Sequence, residues 1–444
     1  MKSIPYVLSC VVLAATVLTG ACSPQRLSPI TPAPTPVPGA GGSKPAGVQI
    51  ARSDLPRNPS PASGPENQKA LAEGNSAFAF DLYRTLSEQG GNLFFSPYSI
   101  SLALAMTYAG AAGQTASEMV STMHFTLPPA DLHAAFNAYS QEAEARSKAS
   151  QEGTPFELSI ANSLWGQKDF TFHKEFLNLL AENYGAGMRL VDFASAPEPS
   201  RLAINQWVSE ETRDRIKDLI PSGAIDPLTR LVLANAIYFK AGWLHTFADS
   251  ATASEPFHLL DGSAVTVSMM HQSDTFAYAQ MSDYRAIEMP YQTGDMSMLI
   301  ILPDDGQFKA VEATLGMQTV QQITDKLVRG PVNLALPKFT YDSSFSLNAT
   351  LKSLGMSDAF DPTRADFSGM DGNRDLSITS VLHKAFVSVD EKGTEAAAAT
   401  AVVMKAGAAP SEPVTVDVNR PFFFFVRDIP SNTVLFVGRV IDPT

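Results

Sequence analysis

"VDEKGTEAAAATAVVMKAGAAPSEPVTVDV", Val389 to Val418, is the stretch on which the reading of the whole chain turns. It sets a small, Ala-rich segment between two strand-like runs near the C-terminus. Ala is the best helix former, so helix is the first expectation. Read instead as a strand of period two, one face carries Thr394, Ala396, Ala398, Thr400, Val402 and Met404. The other carries Glu395, Ala397, Ala399, Ala401, Val403 and Lys405. Both charges then share one face, as on a strand with one wet and one buried side. Helical spacing accommodates the same two charges, so the flanks carry more weight: Gly393 precedes the segment, and Pro410 and Pro413 follow it.

Outward from this stretch, the 444-residue chain has an ordinary globular balance, 45% apolar and 17% charged, with ample material for a core. A net charge of −13 argues against a nucleic-acid partner, which needs a basic face.

Residues 1–22 read as a targeting segment. Lys2 supplies a short positive start, and Tyr6 to Leu18 is an apolar stretch too short to span a bilayer comfortably. It ends in "LTGAC", small residues before Cys22, the pattern of a bacterial lipobox in which that thiol is acylated. The alternative is a plain secretory signal cut near Ala21. Cys10 lies inside the apolar stretch and leaves with it, so the mature domain has no thiol beyond Cys22. That excludes a disulfide framework, a Cys nucleophile and a thiolate metal site. Residues 23–65 are Pro-, Ser- and Gly-rich and read as a disordered, semi-rigid tether reaching on the order of 100 Å. Residues 66–444 show no linker-like break and read as one domain.

Within it, helical spacing marks "ENQKALAEGNSAFAFDLYRTLSEQ", "SPYSISLALAMTYAGAAG" (Pro97 in its first turn) and "LAINQWVSEETRDRIKDLI". Strands are marked by "FELSIANSLWGQ", "TRLVLANAIYFKAGW", "AIEMPYQ", "MSMLIILP", "VNLALPKFTYDS", "VLHKAFVSVD" and "TVLFVGRVIDP". Helices gather early and strands late, which favours α+β with large, mainly antiparallel sheets. None of the seven His lies in HExxH, and no GxSxG elbow or phosphate-binding Gly loop occurs. The chain does not read as an enzyme, and no cofactor or metal is expected.

Six segments in order resemble the serpin family: "NLFFSPYSISLALAMTYAGAAGQTASEM", "INQWVSEETRDRIKDLIP", "LVLANAIYFKAGW", "LPKFTYDSSFSLNATLKSLGMSDAF", "HKAFVSVDEKGTEAAAATA" and "NRPFFFFVRD…TVLFVGRVIDPT". The resemblance covers Glu66 to Thr444. It implies an α+β fold with three β-sheets, eight to nine helices and an exposed reactive-centre loop near the C-terminus. It also implies a serine protease inhibitor acting as a suicide substrate: the target attacks the loop, and the cleaved loop inserts into the central sheet before the acyl-enzyme can hydrolyse. The alternative within the family is a non-inhibitory binding or chaperone-like envelope protein.

The same resemblance assigns residues. The hinge is Glu391, Gly393, Thr394, Glu395, Ala396, Ala397, Ala398, Ala399 and Thr400, small side chains suited to sliding between strands. The reactive bond counts to Gly407–Ala408, with Lys405–Ala406 as alternative, inside a window from Met404 to Ala409. Small residues there suit an elastase-like pocket, Lys405 a trypsin-like one, and a cysteine protease is a further target class. The latch where the sheet opens is Trp243, Lys338 and Glu391, the last two either an ion pair or two independent surface charges. The polar cluster under the sheet's centre is Ser96, Ser99, Asn235 and His383. The expected partners are a protease and, through Cys22, a membrane; the domain is expected to be a monomer.

Overall fold

The computed structural model describes residues 47–149, 157–394 and 412–444. The chain opens with β1 (Gln49–Ala51), α1 (Pro65–Ser87), β2 (Leu93–Phe95), α2 (Pro97–Tyr108), α3 (Gly113–Thr122) and α4 (Pro129–Ala149). There follow β3 (Glu157–Gln167), α5 (Lys174–Tyr184), β4 (Met188–Val191), α6 (Pro197–Glu211) and β5 (Leu231–Gly242). A strand-rich stretch comes next: β6 (Ala253–His258), β7 (Ala264–Gln280), β8 (Tyr284–Pro290) and β9 (Met296–Pro303). After α7 (Phe308–Thr314) and α8 (Met317–Lys326) come β10 (Val328–Pro337), β11 (Phe339–Ser346), α9 (Asn348–Ser353) and α10 (Ser368–Asp371). The chain closes with β12 (Ile378–Asp390), β13 (Gly393–Thr394), β14 (Val414–Asp417), β15 (Phe422–Asp428) and β16 (Val434–Val440).

The α+β class holds. The described strands form a seven-stranded sheet, β1-β4-β3-β5-β13-β12-β11, and a nine-stranded one, β14-β10-β7-β8-β9-β15-β16-β2 with β6 on β7. The three sheets implied by the resemblance are met as two because β7 is long enough to serve twice. It pairs with β6 over Ala264–Met269, with β10 over Met269–Tyr278 and with β8 over Ala277–Gln280. The described residues hold ten helices rather than eight or nine; α9 and α10 are short pieces of six and four residues.

Local chemistry explains the elements that matter below. α2 starts at Ser96, whose hydroxyl caps the Ser99 N–H, with Pro97 in the first turn where its missing N–H costs nothing. β15 is buried along its whole length, so its "FFFFV" run is apolar on both faces rather than alternating, and Arg427 and Asp428 at its end are ion-paired. The seven-stranded sheet lies between two cores. On one face Leu233, Ile237, Phe239, Val381, Ala385 and Val387 join the main core. On the other, Val232, Ala234, Ala236 and Leu382 pack with Ile204, Trp207 and Val208 of α6.

Two expectations are corrected. The helix read through Ile220 stops at Glu211. Thr212 turns its hydroxyl back onto the Val208 carbonyl and accepts the Ile216 N–H, and Arg213 and Asp214 adopt left-handed backbone. The tether expected over 23–65 does not reach 65, because Gly47 to Gly64 belongs to the domain. Val48 is buried, β1 pairs antiparallel with β4, and Ser53 donates to Asn178 at 2.6 Å. Arg57 donates to Asn137 at 2.7 Å and pairs with Glu144 at 2.6 Å. Composition misled here because an edge strand of three residues needs backbone groups and one apolar anchor, not a hydrophobic run. The rest of the expected tether, residues 23–46, lies outside the described residues.

Removing residues 1–46 should therefore leave the denaturation midpoint unchanged. Removing residues 1–58 should cost on the order of 3 kcal/mol, from Val48 burial and the lost hydrogen bonds. Chemical denaturation of the two truncations checks this; equal midpoints would deny the segment any structural role.

Candidate functional site

The site is a seam. β5 and β12 pair parallel and directly, from Leu231/Ile378 to Tyr238/Phe386. Above that level β13 enters between them, antiparallel to both: Thr394 faces Ala241 and Val389, Gly393 faces Gly242 and Asp390. Gly393 is required by close approach rather than by φ, because a Cβ there would collide with the Ala241 carbonyl oxygen. Thr394 is buried, and its hydroxyl meets the Tyr291 hydroxyl at 2.8 Å.

The three latch residues meet at the top of the seam. Lys338 occupies the single residue between β10 and β11, where the chain crosses from one sheet to the other, and its Nζ lies 2.8 Å from Glu391 Oε2. Thr252 donates to the other carboxylate oxygen, also at 2.8 Å. Burial pushes the Glu391 carboxyl up, but the Lys338 and Thr252 hydrogen bonds outweigh it and hold the group below its usual range. Trp243 donates its indole N–H to the Asp390 carbonyl at 3.0 Å and stacks on Tyr291 with ring centroids 4.8 Å apart. Tyr291 and Thr252 were not marked as site residues by sequence; the first is one aromatic in the strand-like "AIEMPYQ" and the second a common surface residue, so neither carries a signal.

Lower down, Asn162, Asn235 and His383 lie in one row across β3, β5 and β12. The His383 Nε2 accepts the Ser96 N–H at 3.1 Å, which places the ring proton on Nδ1, facing Asn235 Oδ1. The Asn235 amide donates to Ser99 Oγ at 2.7 Å and to Asn162 Oδ1; Asn162 in turn donates to the Ser99 carbonyl at 2.9 Å. All four expected residues thus share one buried network, and Asn162 is an added member that only strand register reveals. The His383–Asn235 bond spans the seam. Burial pushes the imidazole down to about 3. A second proton would sit on Nε2, against the Ser96 N–H.

Of the hinge, Glu391, Gly393 and Thr394 are placed as above. Glu395, Ala396, Ala397, Ala398, Ala399 and Thr400, the bonds Gly407–Ala408 and Lys405–Ala406, and Cys22 lie outside the described residues.

A family model described as "Serpin (serine protease inhibitor)" matches residues 73–443. An uncharacterized serpin-like protein of Thermococcus kodakarensis is 41% identical over 85% of this chain and 86% of its own. Leukocyte elastase inhibitor A of Rattus norvegicus is 41% identical over 84% of this chain and 99% of its own. Among solved structures, that of the thermophilic serpin tengpin in the native state superposes with a TM-score of 0.78 at 31% identity, covering 89% of this chain and all of that one.

The neutral His383 has a consequence for acid stability. In the unfolded chain it titrates near 6.5, in the folded one near 3. Between those values the unfolded chain takes up a proton that the folded chain refuses. The residue's contribution is therefore intact above pH 6.5 and drains as pH falls toward 3. His133, pushed down to about 4 by burial, acts in the same sense. His383→Asn should flatten the stability–pH curve between pH 6.5 and 4. Parallel curves for the two proteins would mean that His383 is not held neutral.

Proposed function

The chain belongs to the serpin family of protease inhibitors, and on that premise we propose that it traps serine proteases as a suicide substrate. The observation that carries this reading is the seam. A parallel ladder is slightly weaker per residue than an antiparallel one. A strand entering behind Thr394, antiparallel to both neighbours, exchanges one parallel interface for two antiparallel ones. Cleavage of the loop frees that strand, and the target's own catalytic groups do the chemistry.

The register supports the proposal further. Each residue entering after Thr394 moves one place back along β5 and one back along β12. Six steps bring Thr400 opposite both Asn235 and His383. Its hydroxyl would then take up donors and acceptors left when the seam-spanning His383–Asn235 bond parts. An uncompensated break there would leave buried polar groups unpaired, at about 1–3 kcal/mol each. Met404 arrives opposite Leu231, where β5 begins, so a reactive bond shortly after it fits the length of the seam. We assign that bond to Gly407–Ala408, with Lys405–Ala406 as the alternative. An elastase-like target follows from the small residues, in keeping with the name of the rat relative.

Mixing the protein with elastase should give an SDS-resistant complex near one inhibitor per enzyme. Turnover of the loop with no such complex would instead mark a non-inhibitory member. Thr394→Arg would force a charge into the buried contact with Tyr291, at about 3–5 kcal/mol. The variant should be consumed as substrate; trapping at unchanged stoichiometry would sink the insertion reading.

We also propose that Cys22 carries a lipid anchor, with residues 23–46 as the tether and the domain monomeric. One acyl chain would bind a membrane marginally, two or more stably. Cys22→Ser should leave the protein unprocessed or released while inhibition stays the same. Fractionation of cells making each form checks this, and wild type found wholly soluble and unacylated would leave only a secretion signal.

A further inference from the structure

A small cavity lies where α1, α2 and α4 meet, beneath the turn that joins α3 to α4. Leu71, Phe125, Leu132 and Phe136 supply apolar wall, while Asn75 of α1 and Ser101 of α2 bring polar groups to it. Both polar residues are buried, Asn75 at 3% exposure and Ser101 at 1%. Neither Asn75 Oδ1 nor Ser101 Oγ has a hydrogen-bond partner among the described residues. Protein interiors pair the great majority of such groups, so two in the wall of one cavity call for an occupant.

The orientation of each group is fixed by what it does or does not bond. The Asn75 amide donates from Nδ2 to the Val434 carbonyl at 2.8 Å, a bond that only the NH2 end can make. The oxygen is therefore the end left over. A serine inside a helix can return its hydroxyl to the carbonyl four residues back. Thr107 of the same helix does so, to Ala103 at 3.1 Å, and Ser101 does not.

The turn above the cavity is held close to α1. His124 is left-handed, with φ of 52°, and a Cβ on Gly74 would stand 2.5 Å from its carbonyl oxygen. Its ring lies 2.6 Å from Asp81, two turns further along α1. The centre of a water-sized sphere has about 10 Å³ to move in beneath this turn, room for one water and nothing larger.

We propose that this cavity is a binding site for a single water molecule that joins α1 to α2. Asn75 Oδ1 only accepts, so the occupant must donate; the Ser101 hydroxyl can give or take. Water meets both demands at once. An apolar occupant would leave both groups unpaired, and a cation would find no carboxylate among the lining residues. Ser101 stands two residues beyond Ser99, about 200° around α2. The water thus fastens to α1 the side of α2 opposite to the one that Ser96 and Ser99 tie to the sheet.

Urea denaturation of the full chain tests the site by sign. With the water in place, Ser101→Ala removes one of its partners, and the midpoint should fall by about 0.3 M. In a dry cavity the same substitution would delete an unpaired buried hydroxyl, and the midpoint would rise. Ala is also the better helix former, which pushes the midpoint up, so propensity cannot produce the fall. In an Asn75→Leu background the water has lost its acceptor, and there Ser101→Ala should raise the midpoint, a reversal that marks the two residues as coupled. A crystal structure of the wild type should show one ordered solvent atom within hydrogen-bond distance of both Asn75 Oδ1 and Ser101 Oγ. A midpoint unchanged or raised by Ser101→Ala alone, the same change in both backgrounds, or no solvent at that point in the crystal would each overturn the proposal.

Discussion

The direct parallel contact of β5 with β12, from Leu231 to Tyr238 of β5 and below the level of β13, governs the rest of the molecule. A parallel pair in the middle of a largely antiparallel sheet is the weaker kind of contact in the stronger kind of surroundings. Everything near it compensates. Asn235 and His383 bridge it from below with a buried hydrogen bond, and residues 212–225 pack over it from above. Lys338 and Glu391 close its upper end beside β13.

The polar network carries a second constraint. Burial holds the imidazole neutral, and a further proton on Nε2 would meet the Ser96 N–H, so its neutrality owes nothing to a nearby charge. The sheet's centre is thus held by uncharged hydrogen bonds, which can be exchanged for others at little cost. A buried ion pair there would have demanded several kcal/mol to part. The ion pair that does exist, Lys338 with Glu391, sits at the rim with the lysine substantially exposed.

Strands with strong apolar character were legible in the sequence: β5, β9, β12 and β16 fall where β-branched and aromatic residues cluster, and α1 and α2 where apolar spacing is helical. The family resemblance brought the named site residues into view, and the structure brings Ser96, Ser99, Asn235 and His383 into one network. What remained hidden depends on pairing. Asn162 joins that network only because β3 is in register with β5, and no pattern within "FELSIANSLWGQ" announces it. β1 is three residues of edge strand in a Pro-rich stretch, so composition pointed away from it. The end of α6 was misjudged because "TRDRIKDLI" keeps helical spacing while Thr212 and Asp214 cap and turn the chain.

The short β1 strand also gives the domain a polarity. Gln49 lies level with Leu190, Gly166 and Leu231, whereas Gly393 lies level with Gly242. The two ends of β5 are about 36 Å apart. The described chain therefore joins the central sheet at one pole, through β1, and Gly393 and Thr394 stand at the other. In the proposed mechanism the cleaved end travels down the seam toward Leu231. An enzyme carried on that end would finish about 36 Å from where it began, at the pole where β1 joins the sheet.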